Sequence, residues 1–564
     1  MKRLTTLLLS LAVASAAMAV PAKRQKVELT RTDGTTVMAY VMGDEHYHYY
    51  QAVDTDEILY LNAEGICYSP SAAELTMRQQ YAFQRAEKAN ATRMRAPRRA
   101  DVDRTIDRTP FDLHGQRKAL LLLVDFYDKP MMWTIDDFYA QVNQVGYKGN
   151  TCYGSVHDYF YDQSYEQFDL TFDVVGPITV SKKASYYGSN DTYGNDKYPG
   201  TMVAEACEQA YAQGINFADY DWDGDGEAEM VVCIYSGYGE AQGAPANTIW
   251  PHQWTLTEAL EYGDGPGRME IGGTFIDRYL VLNELNGVRG TNLDGIGTFC
   301  HEYSHGLGLP DIYDTGYSAT KSFGMDAWSL MDSGCYNDNG YHPCGYTAYE
   351  RAYCGWLEPT ELSAGCNVTG MKSIGDEGEA YIIYNEANRN EYYLLQNIQQ
   401  NGWNEYAPGH GMLVMHVDYD GEVWDNNVVN NDRGHRRCTI VPADNNTYTT
   451  SAGLAGDPYP GSKKNTELSD TSLPAATLFS RNVDNRKFLG KPITKITENF
   501  DDDKFNGTIS FIFNGGEVVG IQGISAEGTP ADNASGIYDL YGHRLHTVTV
   551  PGIYVINGKT TIVK

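Results

Sequence analysis

The stretch Cys300-His301-Glu302-Tyr303-Ser304-His305-Gly306-Leu307-Gly308-Leu309-Pro310-Asp311 restricts what this chain can be more than any other part of it. Histidines four apart on a helix differ by about 400° of rotation at roughly 100° per residue, so both imidazoles leave one face a turn apart. That spacing suits a single metal ion. Gly306, Gly308 and Pro310 cannot continue a helix, so the chain must turn just past His305, with Gly308 free to take a positive φ. The turn brings Asp311 back toward the metal, with Asp314 as its nearest rival. Two imidazoles and a carboxylate are the donor set of a hydrolytic zinc site, whose fourth position is left to a water with a pKa lowered to about 7. Glu302 adjoins the first histidine, where a carboxylate can take the proton of that water and pass it to a leaving amine.

The spacing His-Glu-x-x-His-x-x-Gly-x-x-Asp resembles the metzincin signature, with aspartate in place of its third histidine. Downstream, Trp328-Ser329-Leu330-Met331-Asp332 looks like the turn that sets a methionine beneath the zinc in that group. The competing reading of His301 and His305, a pair of ordinary helix histidines, does not account for the glycine, the aspartate and the methionine turn together. A tyrosine beyond this turn, Tyr341 or Tyr346, is the candidate donor to the oxyanion.

A chain of 564 residues exceeds one core and implies several domains. Its formal charge of -31 excludes a nucleic-acid partner, which needs the opposite sign. The first residues read as an export signal: Lys2 and Arg3, an apolar run from Leu7 to Val13, and Ala17-Met18-Ala19 as a cleavage site, giving a signal peptide at 1–19. No apolar stretch is long enough for a transmembrane segment. Export permits disulfides, and among the ten cysteines Cys335 and Cys344, flanking a short loop, are the best pair. Cys233 and Cys300 read as buried thiols, and Cys67 lacks the surroundings of an inhibitory thiolate.

Residues 20–104 read as a propeptide: alternating strands around Asp33-Gly34, a helical stretch from 72 to 92, then the basic run Arg93-Met94-Arg95-Ala96-Pro97-Arg98-Arg99 as an exposed linker open to cleavage near Arg95 to Arg104. Residues 105–358 read as the catalytic domain. Ala119 to Phe126, Met230 to Tyr235 and Tyr279 to Asn283 are buried strands; 134–145, 155–164 and 201–212 are helices; the zinc helix opens near Ile296. His252 has no ligand-spaced partner and reads as structural. Before the second strand, Asp221, Asp223 and Asp225 alternate around Gly224 and offer oxygen ligands for calcium, with Glu229 closing the shell; position twelve lacks the glutamate of an EF-hand.

The zinc motif, the methionine turn and the Asp-x-Asp-x-Asp-Gly loop together resemble the immune inhibitor A family of secreted zinc peptidases, as do Gly34 to Tyr50, Tyr392-Tyr393-Leu394-Leu395-Gln396-Asn397 and Pro408 to Val414. The resemblance implies a zinc endopeptidase made as a precursor (a zymogen), with His301, His305 and Asp311 as metal ligands and Glu302 as base. Protein or peptide substrates follow from it.

Short alternating strands follow Pro359 and predict a β-sandwich over 359–515; His416, Asp418 and Asp420 read as polar residues on an exposed strand face. Residues 516–564 comprise a Gly/Ser/Ala linker and a small β unit with an Asn557-Gly558 hairpin turn. Its ending resembles the sorting domains that address proteins to outer-membrane secretion machinery. The expected whole is a multidomain α+β protein: a metzincin-like zinc peptidase domain with a mixed sheet and active-site helix, a β-sandwich, and a small C-terminal β domain, secreted or held at the cell surface. The rival readings are a surface adhesin with a vestigial zinc site and a zinc amidase acting on a non-protein substrate.

Overall fold

The computed structural model describes residues 20–62, 64–93, 109, 111–316, 323–376, 378–447, 449–500 and 506–516, and near the end 537–538, 544–545, 552–556 and 559–563. The signal run, the cleavage region from Arg95 to Arg104 and the Asn557-Gly558 turn lie outside the described residues. Residues up to 517 form one compact unit and residues 518–564 a second.

Five short strands from Lys26–Thr30 to Cys67–Tyr68 pair antiparallel in chain order, and the helix Ala72–Arg93 follows. Their core of Leu29, Ala39, Val41, Tyr50, Leu59 and Cys67 is completed by Ala241 and Trp250. This small sheet is therefore packed against the domain that follows it. Cys67 lies inside that core.

The next region is built on a mixed five-stranded sheet ordered Phe168–Val180, Gly115–Phe126, Val231–Tyr238, Arg278–Leu285, His252–Thr255. The first four strands are parallel, and His252–Thr255 pairs antiparallel at the edge. The apolar run 119–126 feeds both faces, because successive side chains point opposite ways. Leu121 and Leu123 enter one core with the helices Ile135–Asn143, Val156–Gln163 and Ile296–Gly306. Leu120, Leu122 and Val124 enter the other with Pro199–Ala212 and Leu256–Glu261. Thr134 and Ser155 start their helices with reciprocal caps to Asp137 and Asp158, which is why both begin where the sequence predicts.

Beyond residue 358 lie a five-stranded sheet (Thr360–Glu361, Ala380–Asn385, Asn388–Ile398, Gly411–Asp418, Cys438–Ile440) and a three-stranded one (Cys366–Met371, Gly507–Phe513, Ile493–Phe500). They share a core that includes Ile383, Leu395, Val414, Ile493 and Phe511. The opposite face of the larger sheet, with Ile382, Leu394, Leu413 and Met415, joins the core of the preceding domain, so apolar packing runs unbroken past residue 358. Because both faces are covered, His416 and Asp418 are buried, not exposed as the alternation predicts. His416 Nε2 lies 3.0 Å from Glu391, and Asp418 is paired with His435 at 2.6 Å and Arg437 at 3.3 Å, so these groups are committed to one another.

The second unit contributes four short antiparallel strands, with Ile537–Tyr538 and Gly552–Ile556 inside and Arg544–Leu545 and Lys559–Val563 at the edges. No helix among the described residues is long and apolar enough to cross a membrane.

Candidate metal centre

The helix Ile296–Gly306 is seated by glycine. A Cβ on Gly297 would stand 1.9 Å from the carbonyl oxygen of Cys335, so only glycine lets the first turn touch the Ser333–Gly340 segment backbone to backbone. At the other end Gly308 adopts φ +104°, its amide bonds to the His305 carbonyl at 2.8 Å, and the Leu309 amide returns to Ser304 at 3.1 Å. The chain reverses there, and Asp311 comes back against the helix.

His301 Nε2, His305 Nε2 and Asp311 Oδ1 form a closed triangle with sides of 3.1, 3.3 and 3.3 Å. All three side chains are buried. Asp314, the rival ligand, is not in this group; its Oδ1 accepts from the Gly316 amide at 2.9 Å.

The hydrogen bonding decides the tautomers. His301 Nδ1 lies 2.7 Å from the Leu330 carbonyl and His305 Nδ1 lies 2.8 Å from that of Leu309. A carbonyl only accepts, so both Nδ1 atoms are donors and both neutral rings turn lone pairs at Nε2 toward each other and toward a carboxylate oxygen. Asp311 Oδ1 has no hydrogen-bond partner although it is fully buried. Three acceptors in such contact demand a cation, and donors of a tetrahedral zinc at about 2.0–2.1 Å stand about 3.3 Å apart. The residues present fit that ion.

The predicted methionine turn meets the site through its backbone. The Leu330 carbonyl orients His301, the Met331 carbonyl accepts from the Ile312 amide at 2.8 Å, and Met331 itself is fully buried. The turn is fastened by Glu350, which accepts from Ser329 Oγ at 2.6 Å and the Met331 amide at 3.2 Å.

Glu302 is fully buried, and its carboxyl is pushed up to about 8 by that burial, with His301 and the backbone of Val20 and Gln253 pulling the other way. Its Oε1 accepts from the Val20 amide at 2.6 Å, while Oε2 has no partner. The amino-terminal segment thus reaches the carboxylate next to His301. The Tyr336 hydroxyl donates to the Pro21 carbonyl at 2.8 Å, and the Lys23 amide donates to the Ala241 carbonyl at 3.0 Å.

Several expectations need correction. The Tyr341 hydroxyl donates to the Leu293 carbonyl at 3.0 Å and that of Tyr346 is bonded to Ser304, so both are engaged with the scaffold and neither is placed as an oxyanion donor. Cys335 and Cys344 are separate buried thiols; Cys335 Sγ donates to the Asp332 carbonyl at 3.4 Å. All ten cysteines are unpaired. His252 is structural as expected, with its ring nitrogens at the Trp250 carbonyl (2.7 Å) and the Tyr279 hydroxyl (3.2 Å).

Asp221, Asp223 and Asp225 do converge on one spot. Glu229 is not among them. Its Oε2 accepts from the Trp222 amide at 2.7 Å, and burial pushes its carboxyl up to about 7.

The residue that sequence reasoning missed is Asn427, 116 positions beyond Asp311. Its Nδ2 donates to Asp311 Oδ2 at 2.7 Å and its Oδ1 accepts from the Asp311 amide at 2.7 Å. Its φ of +53° is one that asparagine tolerates. No spacing rule reaches from one to the other.

Residues 114–356 match the family described as immune inhibitor A peptidase M6, catalytic domain. That stretch, which holds the His301–His305–Asp311 group, is thus similar to the catalytic domain of this peptidase family. It is 27% identical over 295 residues to the pre-pro-metalloprotease PrtV of Vibrio cholerae serotype O1, covering 44% of this chain and 31% of that protein. To immune inhibitor A of Bacillus thuringiensis subsp. alesti it is 30% identical over 199 residues, covering 31% of this chain and 28% of the relative. The match therefore spans under a third of the length of either relative.

Proposed function

We propose that the chain is the precursor of an exported zinc endopeptidase: a propeptide at 20–104, a metzincin-like catalytic domain at 105–358 with His301, His305 and Asp311 as zinc ligands, a β-sandwich at 359–515, and a carboxy-terminal β domain. The observation that carries this reading is the buried triangle of acceptors with the Glu302 carboxylate beside it. Zinc held there supplies a Lewis acid that activates water and polarises the scissile carbonyl. Glu302 takes the proton of the attacking water and delivers it to the leaving amine. The carbonyls of Leu330 and Leu309 keep both imidazoles in the tautomer that offers Nε2. The contact between Val20 and Glu302 supports latency, because the segment from Val20 to Lys23 lies where a substrate must lie.

The test is digestion of casein by the full chain before and after cleavage in the basic run at 93–99. Activity is expected only after cleavage, is lost to a chelator, and returns with zinc. Equal clearing in the presence of chelator would sink the reading, and activity confined to peptidoglycan would replace it with the amidase.

Calcium belongs to the same proposal, at Asp221, Asp223 and Asp225. Adding calcium to the zinc-loaded protein is expected to raise its thermal midpoint by several degrees, and Asp223→Ser to erase the rise. No shift in the parent protein would remove this ion from the account.

A further inference from the structure

The amino-terminal segment carries more than a block. In hydrolysis by a glutamate base, the nitrogen that the carboxylate serves is the leaving amine, which belongs to the residue directly after the cleaved bond. The nitrogen lying 2.6 Å from Glu302 is that of Val20. Val20 thus marks the first residue on the leaving side, and Pro21, Ala22, Lys23 and Arg24 mark the second to the fifth. Val20 is wholly buried and Ala22 nearly so. The Lys23 amide is held by Ala241, and its ammonium donates to the Asn339 carbonyl at 3.2 Å with the Tyr336 ring centre 5.8 Å away. That same carbonyl accepts from Asn286 Nδ2 at 3.4 Å, and Asn286 in turn holds Asp294, a buried carboxylate fixed by Asn283, Asn286, Gln242 and the Gly295 amide at 2.7–2.9 Å. Asp294 attracts the Lys23 ammonium, offsetting part of the burial that lowers its pKa.

The next residue meets the same sign of charge. Arg24 lines a pocket with Asp314, Asp326 and Asp332, and bonds to Thr449 Oγ1 at 3.3 Å. Consecutive basic side chains of the segment therefore fall on consecutive acidic parts of the cleft. A carbonyl, an aromatic face and a fixed carboxylate form a receptor for an ammonium or guanidinium, and this receptor remains when the propeptide leaves.

We propose that the mature enzyme selects substrates with a basic side chain at the fourth residue after the cleaved bond, seated where Lys23 sits, and that Asp294 with the Asn339 carbonyl determines this preference. A basic fifth residue adds to it through Asp326 and Asp332. The proposal rests on the peptidase reading of the site and deepens it by naming a substrate class.

The experiment uses the full chain cut in its basic linker and loaded with zinc, given a set of internally quenched peptides that differ only at the fourth residue after the bond: lysine, arginine, norleucine or glutamate. Product amino termini fixed by mass spectrometry establish that the same bond is cut. Lysine and arginine are expected to exceed glutamate by about tenfold or more in kcat/KM, the size of one partly buried charge-assisted hydrogen bond. Norleucine should fall between them, and added salt should narrow the gap. In Asp294→Asn the lysine-to-glutamate ratio, read within that variant and so independent of its total activity, should shrink toward one. Equal rates for all four peptides, or preference for glutamate, would overturn the proposal while leaving a peptidase and would make Lys23 a docking residue of the propeptide only. Cleavage of none of them would remove the peptidase reading and this proposal with it. The comparison in the unmutated enzyme carries the test even if Asp294→Asn does not fold.

Discussion

Glu302→Ala in the cleaved, zinc-loaded protein is expected to lower kcat/KM on any peptide by about two to four orders of magnitude while zinc content stays at that of the parent. The rate loss is the range that a positioned general acid-base contributes. The retained zinc follows from the geometry: the triangle is made by His301, His305 and Asp311, and both imidazoles are oriented by the Leu330 and Leu309 carbonyls, none of which the substitution touches. The variant should fold, because the carboxylate it removes is a buried group with one oxygen unpartnered, a costly thing to keep. In the uncut precursor it also loses the Val20 contact, so the amino-terminal segment should be more readily cleaved by an added protease. Metal analysis and steady-state kinetics on the same preparation make the check. Activity within tenfold of the parent at full zinc occupancy would show that Glu302 is not the base.

What was legible in the chain follows from how local the determining contacts are. The two histidines, the glycine bend and Asp311 span eleven residues, and helix geometry with that one bend brings them together. The methionine turn was legible because Leu330 and Met331 act through backbone carbonyls set by a short Asp-capped turn. Asn427 was not, because an isolated asparagine in a loop carries no periodicity, and its role depends on the larger late sheet packing into the core of the catalytic region. The same packing explains His416 and Asp418: alternation marks an exposed face only when one face of the sheet is free, and here neither is. Phe168–Val180 was passed over because Gly176-Pro177 interrupts its pattern. An edge strand tolerates that proline, and the register with Gly115–Phe126 shifts between Leu122 and Val124 to accommodate it. The Cys335–Cys344 pairing failed because closeness in sequence does not set side-chain direction; Cys335 turns toward Asp332 and His301.

Asp311→Ala should lose zinc affinity by more than about 100-fold, and Asn427→Ala by about 10–100-fold, the range for a group that orients a metal ligand without touching the metal. The two differ in mechanism. Without Asp311 the triangle has one vertex missing, and His301 and His305 remain as two lone pairs 3.1 Å apart with no anion to balance the ion they would share. Without Asn427 the carboxylate stays, but Oδ2 and the Asp311 amide each lose a bond of 2.7 Å in a fully buried place. Leaving such groups unpaired costs about 1–3 kcal/mol, which should lower the thermal midpoint of the metal-free protein too. Isothermal titration with zinc buffered by a chelator of known affinity ranks parent, Asn427→Ala and Asp311→Ala in that order. If Asn427→Ala binds zinc as the parent does, the asparagine serves packing only and Asp311 is held by its own bend. If the ranking holds, a fragment ending at residue 356, where the family match stops, carries every ligand and still lacks a group that aims one of them. The region beyond is then a working part of the metal centre, which explains why its sheet shares a core with the domain before it.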